Sequence, residues 1–237
     1  MKAFILLLLL CLSGCQKEST IHSPDTTARD SATTTRAAKP VKRPEFLIDS
    51  LTLYNKTYTV IQGYPAGSNE FPLRILYAGD TIYRHDEKAA NGFEFEDFDG
   101  DGIADIRLHY LSNVPRTQLI MFDKNSGSFK AVKNFEEFFE PEKITNTKYY
   151  YSYHPNGCGG GGNWASELFY IKNYEAVAIG KIDGIGCEDE ARKGIFIYRL
   201  NGEKQQLIKE ITTEPGIAVD KWDFIADYWP KNYNEFE

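Results

Sequence analysis

The sequence predicts an all-β protein, an irregular propeller-like meander of antiparallel hairpins with few short helices; a barrel is the alternative closure. Three observations lead there. Short apolar–polar alternations recur between turn signals along the chain, the mark of half-buried strands. Tyrosine and phenylalanine are abundant, at 15 each, and both favour strands. Helical periodicity is confined to two stretches, Asn134 to Phe139 and Val219 to Tyr228. No internal repeat is visible, so any ring of blades would be irregular.

The elements follow in order. Leu51 to Ile61 reads as one strand region. Leu73 to Tyr77 and Thr81 to Tyr83 flank an Ala-Gly-Asp turn. Gly92 to Glu96 and Ile106 to Tyr110 alternate on either side of an acidic loop. Thr117 to Phe122 and Ser128 to Val132 flank Asp123-Lys-Asn-Ser-Gly127, and Lys148 to Tyr153 is a tyrosine-rich strand. Two further hairpins turn at Asn173-Tyr174 and Asn201-Gly202; Asn-Gly is a strong hairpin signal.

The organisation of the chain is tripartite. Residues 1–14 carry Lys2 and an apolar run, then Leu12-Ser13-Gly14-Cys15. The run is too short to span a bilayer. This resembles the lipobox of bacterial lipoproteins, which implies cleavage before Cys15 and acylation of that cysteine. Stable anchoring follows from several acyl chains on one residue. Residues 15–45 are rich in Ser, Thr, Asp, Ala and Pro and cannot bury enough surface to fold, so they read as a tether. Gln16-Lys17-Glu18 resembles a surface-export signal of Bacteroidetes lipoproteins, and Asp25-Thr26-Thr27, Asp30-Ser31-Ala32 and Asp49-Ser50-Leu51 resemble that phylum's O-glycosylation motif. Residues 46–237 are long enough for one domain with a proper core. The predicted location is the cell envelope, lipid-anchored to the outer membrane on either its periplasmic or its surface face.

Net charge is −7, and loss of residues 1–14 removes one lysine and no acid, moving it to −8. An acidic chain repels a nucleic-acid backbone, which excludes that partner class. Of the four cysteines, Cys11 is lost with the leader and Cys15 takes lipid. Cys158 and Cys187 remain in an exported domain, each in a glycine-rich turn, and are expected to form a disulfide.

The most informative stretch is Asp97-Phe-Asp-Gly-Asp-Gly-Ile-Ala-Asp105. Asp97, Asp99, Asp101 and Asp105 fall at positions one, three, five and nine of a calcium-loop pattern, with Gly102 at six and the Ile103 carbonyl at seven. Calcium takes six to eight oxygens in a flexible shell, and crowded carboxylates repel one another unless a cation neutralises them. A bare Asp/Gly turn needs one of each, not four acids in register. The twelfth position is Leu108, not the bidentate Glu of helix-flanked loops, so affinity in the range of extracellular structural sites, about 0.1–1 mM or tighter, is expected. The ion is expected to hold the loop and its strands together.

The stretch from about Glu96 to Ile182 resembles exported bacterial proteins related to the VCBS and FG-GAP calcium-loop propellers. The order carrying it is Asp97-Phe-Asp-Gly100, Asp105-Ile-Arg-Leu108, an aromatic-rich strand, then Phe122-Asp-Lys-Asn-Ser-Gly-Ser-Phe129. One branch with a single such loop includes a periplasmic inhibitor of a lysozyme-like effector. The resemblance implies a calcium-bound, propeller-like, non-enzymatic binding domain with a protein partner. Only the Asp97–Asp105 loop transfers residue by residue.

Other constellations are weaker. Gly159 to Gly162 lacks the Lys-Ser/Thr ending of a phosphate loop. His154 and Trp164 flank it and are the candidate recognition residues. Glu188 to Glu190 reads as a solvated acidic turn, with a second cation as the sharper reading. The histidines are dispersed, without zinc spacing or a nucleophile partner. The leading function is therefore an inhibitor or immunity factor against an envelope-directed hydrolase. The alternative is a surface glycan hydrolase with structural calcium, since paired carboxylates are placed by the fold rather than by sequence spacing.

Overall fold

The computed structural model describes residues 46–63, 72–86, 90–110, 113, 115–155, 162–187, 192–212 and 220–237. Arg43 to Glu237 forms one compact unit. Within it the chain builds three antiparallel sheets, all-β as the sequence predicts, and none closes into a barrel.

The first sheet runs in chain order through β1 (Phe46–Leu53), β2 (Lys56–Gly63), β3 (Leu73–Tyr77) and β4 (Asp80–His85). The single strand expected over Leu51 to Ile61 is in fact a hairpin. Tyr54 and Asn55 both take left-handed φ, 49° and 62°, the geometry of a two-residue turn matched to strand twist. Asn tolerates that region; Tyr does not advertise it.

The second sheet is also a meander, through β5 (Ala90–Glu96), β6 (Asp105–Tyr110), β7 (Arg116–Asp123) and β8 (Ser128–Ala131). In β7, every residue from Thr117 to Asp123 is buried, so both faces of this strand are covered. One face meets the first sheet, where Leu51, Val60 and Ile75 pack with Ile106, Leu108 and Ile120. The other face meets the third sheet, where Leu119 and Met121 pack with Phe135, Tyr150 and Phe169. The alternation of the pleat sends successive β7 side chains to opposite cores.

The third sheet contains β9 (Glu142–Lys143), β10 (Tyr149–Tyr151), β11 (His154–Pro155), β12 (Asn163–Lys172), β13 (Glu175–Ile185), β14 (Gly194–Asn201) and β15 (Lys204–Ile211). β10 and β11 both pair with β12, and the main order is β9-β10-β12-β13-β14-β15. Its far face carries helix α1 (Lys221–Asn232) through Ile225, Tyr228 and Trp229. Asp220 caps the helix, accepting from the backbone N–H of Trp222 at 2.9 Å and Asp223 at 3.2 Å. The expected helix over Val219 to Tyr228 starts two residues later and runs on through Pro230. The other expected helix shrinks to a single 3-10 turn, Phe135–Glu137, which buries Phe135 in the middle core.

The order of layers is thus first sheet, second sheet, third sheet, helix. Two glycines let the last layers close. A Cβ on Gly180 would lie 2.8 Å from the Phe236 ring and 3.0 Å from Trp229, so α1 and its following turn seat directly on bare backbone. Trp229 is fully buried and donates its indole N–H to Ser166 Oγ at 2.8 Å. A Cβ on Gly184 would lie 2.0 Å from the Trp164 ring. Gly184→Ala must therefore displace that indole, and we expect a loss of about 1–3 kcal/mol in urea unfolding. A change near zero would show that the indole has room to move.

Candidate metal centre

The acidic loop joins β5 to β6 at one end of the middle sheet. Its turns are built by its own carboxylates. Asp97 accepts the backbone N–H groups of Gly100 at 2.9 Å and Gly102 at 3.0 Å. Asp99 accepts from Asp101 N at 3.0 Å, and Asp101 from Ile103 N at 2.9 Å. Gly100 and Gly102 sit at φ 80° and 84°, in the left-handed region where a side chain costs energy. The result draws one oxygen from each of Asp97, Asp99 and Asp101 within 4.8 Å of one another.

Asp105, the first residue of β6, is 3% exposed and is not one of the three converging carboxylates, though it lines the same cleft as Asp99 and Asp101. It accepts Phe98 N at 3.3 Å. Burial, then the charges of Asp99, Asp101 and Asp97, pushes its carboxyl up to about 7. Burial also raises Asp99, assisted by the charges of Asp101 and Asp97. Ile103 turns its side chain toward the core shared by the first two sheets, as expected of a residue that would ligate through its carbonyl.

Two ammonium groups approach the loop. Lys143 from β9 donates to the Asp99 carbonyl, and Lys124 lies 3.8 Å from Asp101. Neither bonds Asp97 or Asp105 among the described residues. A hard, oxygen-seeking dication suits this all-oxygen donor set better than any softer metal. The residues present fit calcium: three convergent carboxylates, a fourth buried beside them, and backbone N–H groups fixing the turn.

The loop is also stapled to the third sheet. Phe98 stacks on Tyr150 with centroids 4.7 Å apart and meets Phe135 edge-on at 5.2 Å. Tyr150 Oη donates to the Phe98 carbonyl at 3.3 Å. Ordering the loop therefore orders the contact between the second and third sheets.

Beside the loop lies a cleft of about 320 Å³, lined in part by Asp99, Asp101, Asp105, Asp123 and Tyr174. Asp123 is not a free ligand. It accepts from Ser126 Oγ at 2.6 Å, Lys130 Nζ at 2.7 Å and Asn125 N at 2.9 Å. The Lys130 hydrogen bond leads in holding its carboxyl well below the usual range.

The remaining sequence candidates fall elsewhere. Trp164 is 6% exposed and packs in the core between the third sheet and α1, so its indole is a packing group rather than an open recognition surface. His154 contacts Glu167 at 2.9 Å, and Glu167 accepts Ser152 Oγ at 2.7 Å. This polar set was missed in the sequence because its members come from β10–β11 and β12. Cys187 is buried, with its N–H bonded to Asn163 Oδ1 at 3.1 Å. Cys158, Cys15, Gly159 to Gly161 and Glu188 to Glu190 lie outside the described residues.

The raised Asp105 carboxyl sets a pH dependence. In the metal-free chain the folded state binds its proton more tightly than the unfolded state, whose reference value is 3.8. Stability of the metal-free protein should therefore fall as pH rises from about 4 to about 7. Calcium competes with that proton, so the calcium-induced rise in melting temperature should grow over the same interval. Thermal melts with calcium or chelator across this range check both trends, and a calcium increment that shrinks with pH would contradict the placement of Asp105.

No family model matches the chain, and no curated protein matches it. Among solved structures, a Xanthomonas Type IV secretion system related protein is similar over 68% of this chain and 93% of its own, at 14% identity and TM-score 0.44. A Pyrococcus horikoshii acylaminoacyl peptidase is similar over 70% of this chain and 33% of its own, at 12% identity and TM-score 0.30.

Proposed function

We propose that this chain is a lipid-anchored protein of the cell envelope whose β domain is braced by calcium and binds a protein partner without catalysing a reaction. The observation that carries this reading is the convergence of Asp97, Asp99 and Asp101, with buried Asp105 beside them, in a loop that spans two sheets. In this reading Cys15 carries the lipid, Cys158 and Cys187 form a bridge, and Asp97, Asp99, Asp101, Asp105 and the Ile103 carbonyl ligate the ion. When bound, calcium supplies charge neutralisation and cross-linking of oxygens. The resemblance to single-loop VCBS/FG-GAP relatives supports placing the chain among calcium-braced propeller-like proteins. It also supports an envelope-directed, lysozyme-like hydrolase as the partner, inhibited by this domain.

The described residues contain a serine, a glutamate and a histidine in contact, but in an order unsuited to nucleophilic attack. Ser152 is fully buried, and its hydroxyl donates to Glu167, which also holds His154; the imidazole does not activate the hydroxyl.

Two measurements test the proposal. Replacing Asp99 and Asp101 together by Asn should lower the melting temperature in calcium and erase the shift that chelation causes in the parent; an unchanged chelator response would remove the ion from the reading. Purified domain mixed with lysozyme-type hydrolases should reduce their activity in a dose-dependent way. Turnover of glycan substrates by the domain alone would favour the surface glycan hydrolase instead.

A further inference from the structure

The cleft beside the acidic loop is walled by three turns that strand pairing brings together. Asp99, Asp101 and Asp105 stand on its β5–β6 side, Lys124 and Asn125 on the β7–β8 turn, and Asn173 on the β12–β13 turn. Each wall is fixed by bonds that do not depend on a ligand. Lys133 N donates to the Tyr174 carbonyl at 2.9 Å, and Ala176 N donates to the Lys133 carbonyl at 2.9 Å, which pins the β12–β13 turn to the chain just after β8. Gly127 N donates to the Asp123 carbonyl at 2.7 Å and closes the β7–β8 turn. The Phe98–Tyr150 stack sets the depth of the acidic wall. At about 320 Å³ the space is preformed and falls in the range of small-molecule sites, roughly 300–1,000 Å³.

The lining carries unused hydrogen-bonding capacity. Asp105 is almost fully buried, and only its Oδ2 is engaged, by Phe98 N; Oδ1 meets no donor among the described residues. A buried carboxylate oxygen in that state calls for a cation or a donor. The side-chain amides of Asn125 and Asn173 also make no hydrogen bond among the described residues. Each amide offers both donors and an acceptor. Met121 and Ile171 add apolar surface to the same space.

We propose that this cleft binds a pyranose sugar, which presents vicinal hydroxyls to the ion and further hydroxyls to Asn125 and Asn173. The part played by the ion rests on the calcium reading; the part played by the two amides does not. Asp97, Asp99, Asp101, Asp105 and the Ile103 carbonyl offer five protein oxygens, whereas calcium takes about six to eight, so about one to three positions are left to another donor. Leu108, at the twelfth position of the loop, supplies none. Charge decides the class of that donor. Four carboxylates already exceed two positive charges, so a carboxylate or phosphate ligand is repelled. An ammonium or guanidinium group would compete with the ion and leave the amide donors without acceptors. Neutral hydroxyls add oxygens without adding charge, donate to carboxylates and accept from amides. The C–H groups of a sugar ring suit the apolar surface of Met121 and Ile171.

The test uses the chain from Gln16 onward, made without leader or lipid. It is titrated with D-mannose, D-galactose, D-glucose and N-acetyl-D-glucosamine and followed by saturation-transfer NMR. Saturable binding of at least one sugar is expected in calcium, with loss on chelation. Asn125→Ala and Asn173→Gly should each weaken that binding about two- to ten-fold, the worth of one hydrogen bond. Glycine keeps the left-handed turn that Asn173 makes at φ 53°. An undiminished calcium-induced melting shift in both variants certifies that fold and ion are intact. No binding of any of the four sugars while the parent shows its melting shift would overturn the proposal and leave the calcium reading standing. Variants that bind like the parent, or acetate bound in preference to every sugar, would overturn it in the same way. Absence of the melting shift in the parent would strike the calcium reading itself, and this proposal with it.

Discussion

Packing on both faces of the sheet formed by β5 to β8 constrains everything around it. Its strands feed one core shared with the first sheet and another shared with the third, and β7 is buried along nearly its whole length. A strand in that position can carry little polarity in its interior. Gln118, which is buried, answers the Val132 carbonyl at 3.0 Å, and Asp123, at the strand's end, is held by lysine, serine and backbone donors. The charge of this sheet is displaced to its ends and to Glu94, Glu96, Arg107 and His109 at its margin. The largest concentration lies in the β5–β6 loop.

That loop joins two requirements that oppose each other. Phe98 must enter the core against Tyr150 and Phe135, which draws the loop inward. Asp99 and Asp105 are carried with it, and burial raises both carboxyls. Backbone N–H groups satisfy single oxygens and orient them, but a hydrogen bond from an amide does not cancel a full charge. Lys143 and Lys124 supply partial relief from the rim. A divalent cation would relieve the remainder at the point where the oxygens already converge. The aromatic stack and the acidic turn are thus one device: the apolar half fixes the loop's depth, and the ionic half sets the conditions under which that depth is favourable.

Much of this was legible in the sequence, and the exceptions have identifiable causes. Hairpins with Asn-Gly or Asp-Gly character were found because their turn residues announce left-handed backbone. The β1–β2 hairpin was read as one strand because tyrosine opens its turn, Tyr54-Asn55, whereas asparagine opens the otherwise similar turn at Asn173-Tyr174. α1 was ended too early because proline opposes continuation of a helix, yet Pro230 lies close to the C-terminal end and is tolerated. The acidic ligand candidates were legible because their spacing is local. Trp164 was placed at a recognition loop because glycines precede it; the residue that explains it is Gly184, which is distant in sequence and leaves room for the indole in the core. The contact of His154 with Glu167 was invisible for the same reason, since strand pairing sets it.

Layer order also gives the domain a direction. At one end, Trp229 and Phe236 close over Gly180, and the helix finishes the third sheet with an apolar seal. At the other end the first sheet buries one face, and Phe46, Ile48 and Ile82 are exposed. An antiparallel sheet can face water on one side, but a solvent face usually mixes both signs of charge. Here Arg84 is answered by Asp86 at 2.7 Å, so both signs of charge are present. The β5–β6 loop joins the second and third sheets and does not contribute to that outer face. A cation held at that loop would act on the contact between the second and third sheets, apart from the outer face of the first.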